Sequence, residues 1–440
     1  MTNHLIVKNK VKKFDKIINV SGDKSLSIRW VLFSSLANGM SKANNLLKSE
    51  DVIATLNAIK KLGIKYNIKN NQCKIYGRGL EGYKYKKNIT INAKNSGTLG
   101  RLILGCLVNT PYPIKLIGDK SLSKRDFKRI SDPLKKFGVN FKLKKGKHLP
   151  LKILGNQNLN PIKYYENRGS AQCKSSVIFA GMRANGTTYI KAKKSRNHTE
   201  LLCKYLKLPI KTITKKNYDL IKIKKVKKIN SFNYDIPSDI SSSAFFIILT
   251  ALSENSSLLI KNVNINPTRI GVLTILKKMR INIKLKNIKT YKGEKTADIF
   301  VKSSKKIKSI NCPVKFNSGA IDEFLLIFLI AAKAKGTSYF KNLSELNQKE
   351  SPRLIWGSKI LNKMGIKNVL KKNSIKIYGN PNLKINKKII ISNFLKDHRV
   401  FMSSVVAALA FGGKWKIYDK NSTNTSFPNF LKIINDLKKL

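Results

Sequence analysis

Ser21-Gly22-Asp23-Lys24-Ser25-Leu26-Ser27-Ile28-Arg29 follows a short apolar-alternating run (Ile17, Ile18, Val20) and leads into a helical run from Trp30 to Leu36. A glycine-led turn between strand and helix leaves backbone N–H groups free at the helix start, where an anion is favoured. Lys24 adds a point charge, Ser25 a hydroxyl and Arg29 a planar fork, a set suited to phosphate or carboxylate. The turn lacks the longer glycine spacing of a nucleotide P-loop. It also occurs twice: Ile117-Gly118-Asp119-Lys120-Ser121-Leu122-Ser123-Lys124-Arg125 repeats it almost letter for letter. Internal repetition decides how many units a fold contains, so the rest of the chain is read outward from it.

Six turns close apolar helical runs and precede strand-like runs rich in β-branched or aromatic residues. They are Ala37-Asn38-Gly39, Asn109-Thr110-Pro111, Ala184-Asn185-Gly186, Glu254-Asn255-Ser256, Ala334-Lys335-Gly336 and Phe411-Gly412-Gly413. Their period of about 75 residues is too long for the common solenoids. A second signature ends amphipathic helices inside these units: Lys61-Leu62-Gly63-Ile64, Lys136-Phe137-Gly138-Val139, Lys278-Met279-Arg280-Ile281 and Lys363-Met364-Gly365-Ile366. Each unit therefore reads β-α-β-α-β-β. The predicted fold class is α/β (an α+β repeat), with two domains of three units each. Ile236-Pro237-Ser238-Asp239 lies mid-chain, and Val20-Ser21-Gly22 follows a strand with no earlier helix of its own. These places are read as crossings, giving one domain over 21–238 and another over 1–20 with 239–440. A cleft between the two is the expected place for a ligand.

The chain has 440 residues and is 42% hydrophobic, which describes a globular protein with room for two cores. Its formal charge of +65 would suit a nucleic acid or an anionic membrane as partner. The lysines, however, are spread over nearly every segment, with no basic tail and no Lys/Arg run interleaved with aromatics. The charge therefore reads as compositional bias, with no specific nucleic acid and no membrane partner expected. Cys73, Cys106, Cys173, Cys203 and Cys312 contain no C-x-x-C pair, and His4, His148, His198 and His398 show no H-x-x-x-H spacing. Neither a zinc site nor a disulfide framework is predicted. Met1 to Val20 lacks a signal-peptide core, and the longest apolar runs are too short to span a bilayer. The expected location is cytoplasmic.

Further polar constellations sit at predicted helix starts. They are Asn95-Ser96-Gly97-Thr98 with Arg101, Ser170-Ala171-Gln172 with Lys174, Ile321-Asp322-Glu323, Lys349-Glu350-Ser351 with Arg353, and Asp397-His398-Arg399. Arg125 closes the second copy of the repeated turn. The helix dipole disfavours a cation at a helix start by about 0.3–1 kcal/mol, and Lys24, Arg353 and Arg399 break that rule. Local violations of this kind mark functional sites. Several such helix starts would converge on anionic groups.

Taken with Asp239 and the Ser run after it, Asn266-Pro267-Thr268-Arg269 and Ser426-Phe427-Pro428, these anchors stand in the order found in the EPSP synthase family, the 3-phosphoshikimate 1-carboxyvinyltransferases, which the chain resembles over nearly its whole length. The resemblance implies the enolpyruvyl transferase fold, an inside-out α/β barrel of two domains. It also implies transfer of the enolpyruvyl group of phosphoenolpyruvate to the 5-hydroxyl of shikimate 3-phosphate, with release of phosphate. Neither metal nor organic cofactor is implied, and a monomer is expected. Residue by residue, Lys24, Ser25, Arg29, Ser170, Ala171, Gln172, Ser195, Asp322 and Lys349 would bind shikimate 3-phosphate. Lys24, Gly97, Arg125, Gln172, Arg353 and Arg399 would bind phosphoenolpyruvate. Asp322 would take the 5-hydroxyl proton, and Glu350 with Lys24 would handle the protons at the enol carbon.

The chain departs from the family pattern in places. Thr425 stands where many members carry a phosphate-binding lysine, with Lys420 nearby; Pro352 replaces an acidic residue and Asn347 an arginine. Gly97 keeps a glycine where tolerant relatives carry alanine, so glyphosate is expected to inhibit in competition with phosphoenolpyruvate. The related transferase acting on UDP-N-acetylglucosamine has Lys-Asn at the first turn, whereas this chain has Lys24-Ser25.

Overall fold

A computed structural model describes residues 3–438. Two compact units divide the chain. The amino-half unit is Gly22–Ile236 together with Tyr291–Glu294. The carboxy-half unit takes the segment ending at Ser21, Pro237–Thr290 and the segment from Lys295 onward. Ser21, Pro237 and Ser238 thus belong to the carboxy-half unit, and Tyr291–Glu294 to the amino-half unit, which the expected boundaries did not anticipate.

Among the described residues the strands form six sheets, one for each β-α-β-α-β-β unit. In four of them the leading strand pairs parallel with the strand after the first helix, and the last two strands return antiparallel. The crossings swap leading strands. Asp15–Ile18 pairs with Ser257–Asn264, whereas Asn233–Asp235 pairs with Asn38–Asn44. The short strand His4–Val7 completes the last sheet against Lys414–Tyr418. Asn38 and Gly39, expected in a turn, begin the strand Asn38–Asn44, because the backbone is already extended at Ala37.

The first helix of every unit is apolar on nearly all sides and buried. In the carboxy-half unit these are Ile240–Leu252, Phe324–Lys333 and His398–Phe411, packed together inside the sheets. In the amino-half unit they are Lys24–Leu36, Gly97–Cys106 and Ala171–Gly181. Phe33 and Phe179 stack at 4.8 Å between ring centroids. A Cβ added at Gly105 would stand 2.1 Å from the Ser176 carbonyl oxygen, so only glycine permits that helix contact. The second helix of a unit covers a sheet and is amphipathic, like Glu50–Lys61 with its buried Val52, Leu56 and Ile59. Its end needs a left-handed residue. Gly63, Gly138 and Gly365 supply it at φ of 84, 95 and 84°, and Arg280 takes φ of 64° in the fourth copy.

Several helix starts are capped by side chains. Asp23, Asp119, Asp239 and Asp397 accept backbone N–H groups of Leu26, Leu122, Ser241 and Arg399 at 2.7–2.9 Å. Ser96 and Ser170 cap Gly97–Cys106 and Ala171–Gly181. The repeated Gly-Asp-Lys-Ser is therefore an aspartate cap followed by a lysine in the first turn. Its first copy opens the thirteen-residue helix Lys24–Leu36, and its second only the four-residue Lys120–Ser123.

Candidate active site

In the amino-half unit most of the expected site residues lie in the first turns of the three buried helices, while Arg125 follows the short helix Lys120–Ser123 and Ser195 precedes His198–Tyr205. Half-buried Lys24 reaches Asp51 on the following helix, Nζ to Oδ2 3.1 Å. Arg29 is 2% exposed. Its Nε donates to Thr199 Oγ1 at 2.8 Å, Nη2 to Ser175 Oγ at 3.1 Å and Nη1 to the Ser25 carbonyl at 3.0 Å. Burial pushes this guanidinium down to about 10, against the pull of Glu200 and Asp23. Arg29 is thus partly committed to the protein, holding Ser25 in place.

Gly97, Arg101, Arg125 and Gln172 come together. Gln172 donates Nε2 to Thr98 Oγ1 at 3.0 Å and accepts from Arg101. Arg125 Nη2 donates to Asn95 Oδ1 at 3.0 Å. A Cβ at Gly97 would lie 2.9 Å from Arg125 Nη1 and 3.4 Å from Arg101 Nη1. Burial, with Arg125 and Arg129 nearby, lowers the Arg101 guanidinium to about 10. Several cations gathered this closely favour an anion between them. Ser170 and Ala171 begin the next helix, where Glu166 accepts the backbone N–H groups of Arg168, Gly169 and Ser170 at 2.8–3.1 Å and shapes the approach. Ser195 Oγ is buried and has no hydrogen-bond partner among the described residues.

In the carboxy-half unit the expected residues form one network. Asp322 Oδ1 lies 3.2 Å from Lys349 Nζ and 3.4 Å from Arg353 Nη1. The Asp322 carbonyl accepts Arg399 Nη1 at 2.8 Å, and Arg399 also lies 3.7 Å from Glu323 Oε1. Arg353 Nη2 donates to Glu350. Asp397 braces the assembly from beneath: Oδ2 accepts Arg353 Nε at 2.9 Å and Ser351 Oγ at 2.8 Å, and Oδ1 accepts Arg353 Nη2 at 3.2 Å. Burial alone would lower the Arg353 guanidinium, but Asp397, Glu350 and Asp322 raise it above its ordinary value. Burial and Glu350 push the Asp397 carboxyl up, yet Arg353 and His398 hold it below its ordinary value. Pro352 sits at the cap position of Arg353–Lys363, where its missing N–H costs nothing. Asn347 Oδ1 accepts the Leu354 N–H at 3.1 Å, a helix-start contact no arginine would make. Thr425 Oγ1 lies 3.3 Å from His398 Nδ1.

Fixed cations near several helix starts give the described site residues a positive character that suits anionic groups. Residues 8–434 match the family described as EPSP synthase (3-phosphoshikimate 1-carboxyvinyltransferase). The chain belongs to the EPSP synthase family. It is 39% identical over 421 residues to the 3-phosphoshikimate 1-carboxyvinyltransferase of Ruthia magnifica subsp. Calyptogena magnifica, covering 96% of this chain and 94% of that one. It is 36% identical over 426 residues to the same-named protein of Petrotoga mobilis, covering 96% and 97%. The solved EPSP synthase of Acinetobacter baumannii superposes with a TM-score of 0.87 at 33% identity over 99% of this chain and 98% of that one. The enolpyruvyl transferase NikO of Streptomyces tendae, at 12% identity and a TM-score of 0.76, shares the fold. No helix among the described residues of this EPSP synthase family member is long and apolar enough to cross a membrane.

Sequence reading missed Asp51, Glu166, Thr199 and Glu200 around the site. Asp51, Thr199 and Glu200 are distant in sequence from the groups they hold, whereas Glu166 acts locally, on the backbone two to four residues ahead of it. Glu200 in the first turn of its helix reads as an ordinary dipole partner.

Proposed function

We propose that the residues gathered in both units act on one substrate pair, shikimate 3-phosphate and phosphoenolpyruvate. The reaction is that of the EPSP synthase family: the enolpyruvyl group passes to the 5-hydroxyl and phosphate leaves. The observation that carries the residue roles is the carboxy-half network, in which Asp322, Lys349, Glu350, Arg353 and Arg399 are linked by ion pairs and hydrogen bonds. Lys24, Ser25, Arg29, Ser170, Ala171, Gln172 and Ser195 take shikimate 3-phosphate, joined by Asp322 and Lys349. The unpartnered Ser195 hydroxyl suits a phosphate oxygen. Arg125, Arg353 and Arg399, with Lys24, Gln172 and the Gly97 backbone, take phosphoenolpyruvate.

Asp322 accepts the proton of the 5-hydroxyl as its oxygen bonds to C2 of phosphoenolpyruvate. Glu350 and Lys24 deliver a proton to C3, and a tetrahedral intermediate results. The C2–O bond to phosphate then breaks, the C3 proton returns to the same pair and the double bond reforms. The intermediate keeps both anionic groups, so cations already fixed by Asp397 and Asp51 need little reorganisation. Positioning two substrates against each other contributes up to about 7–11 kcal/mol in favourable cases.

The purified protein should release phosphate only with both substrates present, and mass spectrometry should identify 5-enolpyruvylshikimate 3-phosphate. Phosphate release from phosphoenolpyruvate alone at the same rate would contradict the reading.

A further inference from the structure

Beneath the amino-half residues lies a buried ion pair that the proposed chemistry does not use. Lys174 Nζ stands 2.6 Å from Glu200 Oε1, with the side chains 0% and 3% exposed. Apart from each other, neither charged end has a hydrogen-bond partner among the described residues. Desolvating two charges costs about as much as their attraction returns, so such a pair is a poor device for stability alone. Its length and direction, by contrast, fix the register of the elements that carry it.

Those elements are the ones that bear the proposed phosphate ligands. Lys174 follows Ser170 and Gln172 on Ala171–Gly181, and Glu200 follows Ser195 at the start of His198–Tyr205. Their sequence neighbours extend the tie. Ser175 Oγ and Thr199 Oγ1 lie 2.7 Å apart, and both accept from Arg29 of Lys24–Leu36. Three helices are thereby tied together within their first two turns. The nearby charged groups are Asp23 and Arg196 beside Arg29, Glu166 beside Lys174, and Glu294, which is held 2.6 Å from His198 Nδ1.

We propose that Lys174 and Glu200 are positioning residues for the phosphate of shikimate 3-phosphate, keying the three helices so that Ser170 and Ser195 meet one phosphate group. This rests on the reading that the amino-half residues take that substrate. An apolar pair of similar volume would fill the space yet allow the helices to slide.

The test is the double variant Lys174→Met/Glu200→Leu in the full chain, with steady-state kinetics for each substrate and thermal melting. The expected result is a melting temperature equal to or above that of the parent, a KM for shikimate 3-phosphate raised about tenfold or more, and a KM for phosphoenolpyruvate within twofold. Unchanged KM values would overturn the positioning role, as would equal changes for both substrates. If the double variant does not fold, Thr199→Val and Thr199→Ser serve instead. The valine should raise the KM for shikimate 3-phosphate and the serine should not, and equal values would sink the idea. A parent protein that turns over neither substrate removes the substrate reading itself; an active parent with an unaffected double variant removes only the positioning role.

Discussion

Gly97 shows how one missing methyl group sets a property. A Cβ there would press on Arg125 Nη1 at 2.9 Å, a contact relieved only by moving the guanidinium. If phosphoenolpyruvate and glyphosate both meet these cations, as the proposed roles require, Gly97→Ala should raise the KM for phosphoenolpyruvate severalfold and weaken inhibition by glyphosate. Inhibition constants for both proteins check this, and an alanine variant as sensitive as the parent would contradict it. Asp397 makes a second case. Its carboxyl is held below its ordinary value in the folded chain, with Arg353 the principal stabilising partner. It therefore adds stability that is complete above the unfolded value of about 3.9 and is lost as pH falls through the lower folded value. Melting followed from pH 7 down to pH 3 should show that loss. Asp397→Asn should cost roughly 3–5 kcal/mol at pH 7, as expected for a buried pair deprived of one partner, and should decline less steeply in acid. A variant with the same melting profile as the parent would refute the brace.

At the scale of elements, helix starts were the most legible feature of the chain. Cations at Lys24, Arg353 and Arg399 break a dipole rule that can be read without coordinates, and each lies in the first turn of its helix, buried on nearly all sides for Lys24 and Arg399 and amphipathic for Arg353. Their partners were less legible. Asp51 meets Lys24 through the packing of two helices, a pairing with no spacing to recognise, whereas Glu166 binds the backbone of the loop just after it, up to Ser170. The repeated turn was legible as a repeat but not as two helices of different length. The close approach at Gly105 was invisible in sequence because it depends on Ser176 of another helix. Gly105→Ala should destabilise the amino-half unit by about 1–3 kcal/mol, the usual cost of overpacking. Denaturant unfolding measures this, and a loss below 0.5 kcal/mol would mean that the helices part freely.

For the whole molecule, the six-unit plan was readable from turns spaced regularly along the chain, whereas the swapped leading strands come from pairing between segments remote in sequence, Asn233 with Lys42 and Ser257 with Asp15. Charge was the feature most open to misreading. The expectation of no Lys/Arg run interleaved with aromatics passes over Tyr83-Lys84-Tyr85-Lys86-Lys87, and strand pairing interleaves the two further: Lys222 stands 5.3 Å from the Tyr189 ring, and Lys191 5.4 Å from that of Tyr165. With 88 basic and 23 acidic residues, the long-range field should draw in both anionic substrates. Raising salt from 0.05 to 0.5 M shortens the screening length from over 10 Å towards a few Å, so kcat/KM should fall severalfold while kcat changes less. A kcat/KM indifferent to salt would show that the dispersed lysines have no steering role. The most direct measurement of the account is phosphate release at saturating concentrations of both substrates by Glu350→Gln. Loss of the proton-transfer group should cut kcat about 10²–10⁴-fold with the fold intact, whereas a rate within twofold of the parent would contradict the mechanism.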